Sequence, residues 1–242
     1  MKLVLKIRKI LFRIAFPNKY NSEKYTSYLK SKGVEVGEGT YFFDPISTQI
    51  DVNRPYLLSI GKYCKITKDT QILTHDYSSS VFRLANGGTT VTSAKKTVIG
   101  DNVFIGIRTI ILPGAIIGDN VIIGAGAVVS GNVPSNVVVA GNPAKVITDL
   151  NTHAEKRQSK LLSEAVFYAN EYLKATGSYP EIGQMGDFYP LYYSGDLDGL
   201  RNLGVNVRAN GDDAMSFARD LEHNQPKFNN YDEFIDYVKN LE

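Results

Sequence analysis

The chain has 242 residues, with 27 Lys and Arg against 25 Asp and Glu, and a net charge of +2. So even a balance presents no general polyanion-binding surface, and no nucleic-acid partner is expected. The single cysteine, Cys64, excludes an intramolecular disulfide and a cysteine-rich zinc site.

Residues 1–16 carry five basic side chains and no acid, interleaved with Leu, Ile and Phe, and Pro17 ends the run. The run is too short and too charged to span a bilayer. Two readings stay open. The segment is either a helix that caps the end of the following domain, or a basic amphipathic stretch on an anionic membrane surface. With no secretory cleavage pattern and no long apolar run, the expected compartment is the cytoplasm, and the second reading adds a peripheral place at the inner membrane face. Residues 21–33 read as a short helix closing at Gly33.

A six-residue period begins at Val36-Gly-Glu-Gly-Thr-Tyr and Phe42-Phe-Asp-Pro-Ile-Ser. It blurs from Thr48 to Ser59 and resumes at Ile60-Gly-Lys-Tyr-Cys-Lys and Ile66-Thr-Lys-Asp-Thr-Gln. After Leu73 it stops for the stretch Thr74 to Thr97. From Ile99 to Pro134 it is strongest: Ile99, Ile105, Ile111, Ile117, Ile123 and Val129 open six hexads. Fifth positions are small or β-branched: Val103, Thr109, Ala115, Val121, Ala127 and Val133. Neither a helix nor a simple strand has this period, and hexads of this kind mark a parallel β-helix. Each hexad supplies a short strand and a turn, and three make a triangular coil. Gly and the Asp-Asn pairs serve the turns because they tolerate unusual backbone angles. Cys64 falls at a fifth position and reads as a small buried thiol.

An insertion in a solenoid must leave the coil, so residues 74–97 form a loop, and loops on rigid scaffolds often carry function. His75 stands at its start and is the only histidine inside the repeat region. A neutral imidazole suits a general base near pH 7. Asp76 either orients that imidazole or serves the turn. Tyr77, Phe82 and Arg83 follow as candidates to line a cleft.

The run from about Val34 to Ile147 resembles the hexapeptide-repeat acyltransferases, in particular the maltose, galactoside and xenobiotic acetyltransferases and the capsule or lipopolysaccharide O-acetyltransferases. Three passages carry the resemblance. They are Ile72-Leu-Thr-His-Asp76, Val98 through Gly114, and Ile123-Gly-Ala-Gly-Ala-Val-Val-Ser130 with Val139-Ala-Gly-Asn-Pro-Ala-Lys-Val-Ile147. The resemblance implies a left-handed β-helix, a homotrimer with its site between adjacent copies, and acetyl-CoA as donor with no metal required. It implies that His75 is the base and that the backbone N–H of Ile107, after Gly106, stabilises the oxyanion. Ala125 and Gly126 would lie along the pantetheine arm, with Ser130 where relatives carry Thr. Gly131 stands where relatives usually carry Lys, so Lys145 is the main phosphate partner. Asp51 and Asn53, in the blurred repeat, would reach the acceptor, with Asp76, Tyr77 and Arg83. The expected activity is O-acetylation of a saccharide in surface-polysaccharide assembly. N-acetylation of an amino-sugar or antibiotic, and a non-catalytic scaffold role, are the alternatives. A γ-class carbonic anhydrase would need three His ligands, and the repeat has one.

Past Ile147 the repeat ends. Thr152-His-Ala-Glu155 reads as a capping box opening a helix to about residue 176, and Asn230 to Glu242 as another helix. Asp196-Leu-Asp198-Gly lacks the acids of a calcium loop and reads as a turn. The expected organisation is a basic helical segment over 1–33, a mainly β domain over 34–148, and a mostly helical extension over 149–242.

Overall fold

The computed structural model describes residues 11–76, 78–85, 87–88, 93–205 and 221–241. The chain divides into two compact units, with the break between His153 and Ala154.

The first unit is a left-handed parallel β-helix. Its first coil is β1 (Glu35–Val36), β2 (Tyr41–Phe42) and β3 (Gln49–Ile50). The second is β4 (Leu58–Ile60), β5 (Lys65–Ile66) and β6 (Gln71–Ile72), and the third β7 (Thr97–Ile99), β8 (Val103–Ile105) and β9 (Ile110–Ile111). The fourth is β10 (Ile116–Ile117), β11 (Val121–Ile123) and β12 (Val128–Val129). A last partial coil has β13 (Asn132–Val133) and β14 (Val137–Ala140), and β15 (Lys145–Asp149) folds back antiparallel on β14. Three flat faces result, in the orders β1-β4-β7-β10-β13, β2-β5-β8-β11-β14-β15 and β3-β6-β9-β12.

Aliphatic first positions make the core. Val36, Ile60, Ile99, Ile117 and Val133 pair in register up one face. Phe42, Ile66, Ile105, Ile123 and Val139 climb the second, and Ile50, Ile72, Ile111 and Val129 the third. All are buried. Fifth positions sit at the corners. Thr48, Thr70 and Thr109 are buried there, and their hydroxyls donate to the carbonyls of Asp44, Thr67 and Gly106 at 2.7–2.9 Å. A buried hydroxyl must find such a partner. Cys64 is buried at its fifth position beside the Gly100 carbonyl, and burial pushes its thiol pKa up. Asn102, Asn120 and Asn136 hold left-handed backbone at φ 53°, 56° and 61°. Their side-chain amides form a ladder, Asn102 donating to Asn120 and Asn120 to Asn136.

The sequence frame slips once. Val133, expected at a fifth position, pairs with Ile117 and is a first-position residue. The corner before it holds only Ser130 and Gly131, Gly131 at φ 68°, so the chain turns in fewer residues. A valine fits either position, which is why the frame looked unbroken.

The end of the coil is closed by α1 (Ser22–Lys32), capped by Asn21 and ended by Gly33 at φ 100°. Its Tyr25 and Leu29 are buried, the Tyr25 ring 4.9 Å from Phe42. Residues 11–15 are helical, and residues 11–16 are all exposed. Capping is thus the work of α1, not of residues 11–16; residues 1–10 lie outside the described set. After β6 the chain leaves the coil, forms α2 (Ser79–Ala85) and returns at β7. The Thr97 hydroxyl donates to the Leu73 carbonyl at 2.9 Å, joining the two ends of this excursion.

Helix α3 (Leu150–Thr176) starts three residues before the expected helix start, because Asp149 rather than Thr152 caps it, accepting from the Thr152 amide at 2.9 Å. In the second unit Ala165 and Ala169 of this helix pack with Met185, Leu191, Tyr192 and Phe228. Phe234, Ile235 and Val238 of α5 (Tyr231–Lys239) complete that core. Asp196 is the N-cap of a short helix, α4 (Leu197–Asn202), where a turn was expected.

Ile123 is fully buried between Ile105 and Val139, while its neighbour Ile122 points outward. Ile123→Ala should cost about 2–5 kcal/mol in chemical denaturation, and Ile122→Ala much less. Equal losses would show that the inward face has been misassigned.

Candidate active site

Leu73, Thr74 and His75 continue straight out of β6, and Asp51 continues out of β3 one rung away. Parallel pairing of Ile50 with Ile72, and the Asp51 amide donating to the Ile72 carbonyl at 2.9 Å, fix that alignment. Asp51 therefore meets Thr74 and His75 although 24 residues separate it from His75. Its Oδ2 accepts from the Thr74 amide at 3.1 Å and the Thr74 hydroxyl at 2.5 Å, and contacts His75 Nδ1. Its Oδ1 accepts from the Asn53 amide at 2.9 Å.

The Asp51 side chain is only 4% exposed. Burial pushes its carboxyl up. The Thr74 hydroxyl, the Asn53 amide, the His75 ring and the Thr74 amide together outweigh that push and hold it below the usual aspartate range. An ionised carboxylate only accepts hydrogen bonds, so Nδ1 of a neutral His75 carries the proton and Nε2 the lone pair. The arrangement makes a fixed, half-buried base.

The carboxylate on the imidazole is thus Asp51, expected to touch an acceptor, and not Asp76. Asp76 is exposed and accepts from the Ser78 hydroxyl and amide at 2.5 and 2.9 Å, bonds that lower its pKa. It is a turn residue leading into α2. Asn53 and Arg83 are exposed, Asn53 beside Asp51 and Arg83 on α2. Tyr77 lies outside the described residues. Sequence reasoning missed Thr74, and also Arg54, whose Nη1 donates to the Ser93 carbonyl at 2.6 Å and ties the returning loop to the Asp51 corner.

The residues expected along a donor arm fall at the opposite edge of the same face. Gly106 and Ile107 turn the chain into β9, and Ala125 and Gly126 turn it into β12 one rung on. Gly106 donates to the Ile123 carbonyl and Gly126 to the Ile107 carbonyl, both at 2.8 Å. A Cβ on Gly106 would lie 2.5 Å from the Ala125 amide nitrogen, so only Gly lets these turns stack. A Cβ on Gly126 would meet nothing within 4 Å, so the outside is open. Among the described residues, the amides of Ile107 and Ala125 donate no backbone hydrogen bond. Residues 141–144 cover the next level, the Ala144 amide donating to the Val128 carbonyl, and exposed Lys145 follows at the start of β15. This edge fits an extended arm ending in phosphates. Ser130 sits in the corner leaving β12, on the His75 edge, so within one chain it stands across the face from these residues. Within one chain, the width of a face, on the order of 15 Å at about 3.3 Å per residue, separates His75 from the Ile107 edge.

Residues 96–131 match the model of the bacterial transferase hexapeptide family, six repeats. Protein CapG of Staphylococcus aureus is 40% identical over 128 residues, covering 53% of this chain and 73% of that protein. The putative acetyltransferase YvoF of Bacillus subtilis strain 168 is 35% identical over 123 residues, 51% of this chain and 63% of that one. A maltose O-acetyltransferase structure from Clostridium difficile 630 is 30% identical, covers 60% of this chain and 83% of that one, and superposes with a TM-score of 0.38.

Asp51→Asn keeps the shape and removes the charge. A carboxyl held low in the folded state contributes stability above its unfolded pKa of about 4, which is lost as pH falls through the folded value. The stability gap between wild type and Asp51→Asn, measured by urea unfolding, should be widest near neutral pH and shrink below about pH 4. A gap that does not change with pH would refute the ionised pairing.

Proposed function

The chain belongs to the hexapeptide-repeat acyltransferases, and from that premise we propose that it moves an acetyl group from acetyl-CoA to a hydroxyl of a saccharide. The observation that carries the proposal is the His75 ring fixed by a buried, ionised Asp51 at the edge of a rung. His75 Nε2 removes the proton of the acceptor hydroxyl, and that oxygen attacks the thioester carbonyl carbon. The Ile107 N–H donates to the oxyanion that forms. When the carbon–sulfur bond breaks, His75 returns its proton to the departing sulfur, leaving an acetyl ester and free CoA thiol. Asp51 holds the tautomer and stabilises the imidazolium in between, as a positioning residue.

His75 and the Ile107 edge stand a face apart in one chain, so each site takes its base from one copy and its oxyanion donor from the next. A closed ring of identical copies meets that requirement, and a homotrimer matches the three-sided coil. Gly106, Ala125 and Gly126 line the donor arm, with Lys145 toward its phosphates. Asn53 and Arg83 are the described candidates at the acceptor. A capsule or related surface saccharide is the proposed acceptor, in keeping with the resemblance to surface-polysaccharide O-acetyltransferases. The compartment is the cytoplasm.

A thermal melt with acetyl-CoA tests the donor. At 100 times its dissociation constant a ligand specific for the folded state adds about 2.7 kcal/mol. A clear rise in Tm is expected, smaller in Lys145→Ala and retained in His75→Ala. His75→Ala should also lose CoA-thiol release by on the order of 10²-fold or more. No rise for folded trimer at millimolar acetyl-CoA would leave the scaffold role in its place.

A further inference from the structure

Leu11 and Ile14 are 59% and 70% exposed, and Phe12 and Phe16, with ring centroids 5.3 Å apart, are exposed beside them. Exposing several large apolar side chains together is avoided by most soluble folds, and an exposed apolar cluster marks a binding surface. The coil does not need these residues, since α1 already closes its end. The run is also held in place. Lys19 Nζ donates to the Thr48 carbonyl at 2.8 Å, and the Arg13 guanidinium lies 5.3 Å from the Tyr20 ring centre.

Charge decides what covers it. Residues 1–16 hold five of the 27 Lys and Arg and none of the 25 Asp and Glu, so the remaining residues are net negative. Lys2, Lys6, Arg8, Lys9 and Arg13 are interleaved with Leu, Ile and Phe along this run. Paired with the same positive segment of a second copy, this surface would be repelled. An anionic lipid surface complements both its charge and its apolar side chains. Five charged side chains within this run suit a polar headgroup surface rather than a bilayer core.

We infer that residues 1–16 dock the protein onto an anionic phospholipid surface, with Leu11, Phe12, Ile14 and Phe16 entering the headgroup boundary and the basic side chains of the run engaging lipid phosphates.

The test is co-sedimentation of the full chain with vesicles of phosphatidylcholine alone and of phosphatidylcholine mixed with phosphatidylglycerol. Wild type should pellet with the mixed vesicles only, and high salt should weaken it. Lys9→Glu/Arg13→Glu should lower the partition at least tenfold, and Leu11→Ser/Ile14→Ser at least fivefold, each with its oligomeric state unchanged in analytical ultracentrifugation. Folded wild type that ignores anionic vesicles overturns the inference, as does equal partition of wild type and both variants. Variants that dissociate the oligomer while wild type binds no vesicle would identify a second copy as the occupant instead.

Discussion

Every rung of this β-helix is two to four residues long, and no strand of that length holds its shape unless a neighbouring rung pairs with it. The stacked columns that run from Val36, Phe42 and Ile50 supply that pairing together with most of the first unit's core. Because each inward side chain touches its counterpart a coil away, the backbone edges are rigid and evenly spaced. Side chains at those edges are positioned by register, not by local sequence. Corners can then vary in length, from two residues before β13 to the whole excursion between β6 and β7, without disturbing the rungs on either side.

The candidate site uses this rigidity twice. Asp51 and His75 belong to successive rungs at one edge, and pairing of Ile50 with Ile72 brings carboxylate and imidazole together. The glycine corners at Gly106 and Gly124 belong to successive rungs at the other edge, where the Ile107 and Ala125 amides donate no backbone hydrogen bond. A single coil stack separates base from oxyanion donor. In the proposed reaction, packing copies side by side therefore does what a folded-over cleft does in a monomeric enzyme.

Much of the fold was readable because the hexad period writes the coil directly into the sequence. His75 was readable because the period stops beside it. The pairing of Asp51 with His75 was not, since they stand 24 positions apart with a blurred repeat between them. The signal lay in Gln49-Ile50 and Gln71-Ile72, a repeated dipeptide that aligns the two rungs and puts Asp51 beside Leu73 and Thr74. Asp76 was the one carboxylate weighed as a partner, beside a turn role, because it is adjacent in sequence, and the turn role is the one observed. The Val133 slip escaped for the opposite reason, since valine satisfies two different positions of the repeat. The second unit has no period, and its aromatic core of Tyr192, Phe228 and Phe234 emerges only from tertiary packing.

The most direct measurement is subunit complementation. His75→Ala removes the base, and Ala125→Arg blocks the donor edge, so each trimer alone should release no CoA thiol with a saccharide acceptor. After dissociation and reassembly of an equal mixture, a site shared between neighbours is intact whenever a native base faces a native edge. Recovery of about one quarter of wild-type activity is then expected. No recovery, with hybrid trimers demonstrated by mass, would mean that base and donor edge act within one chain and that the shared site does not exist.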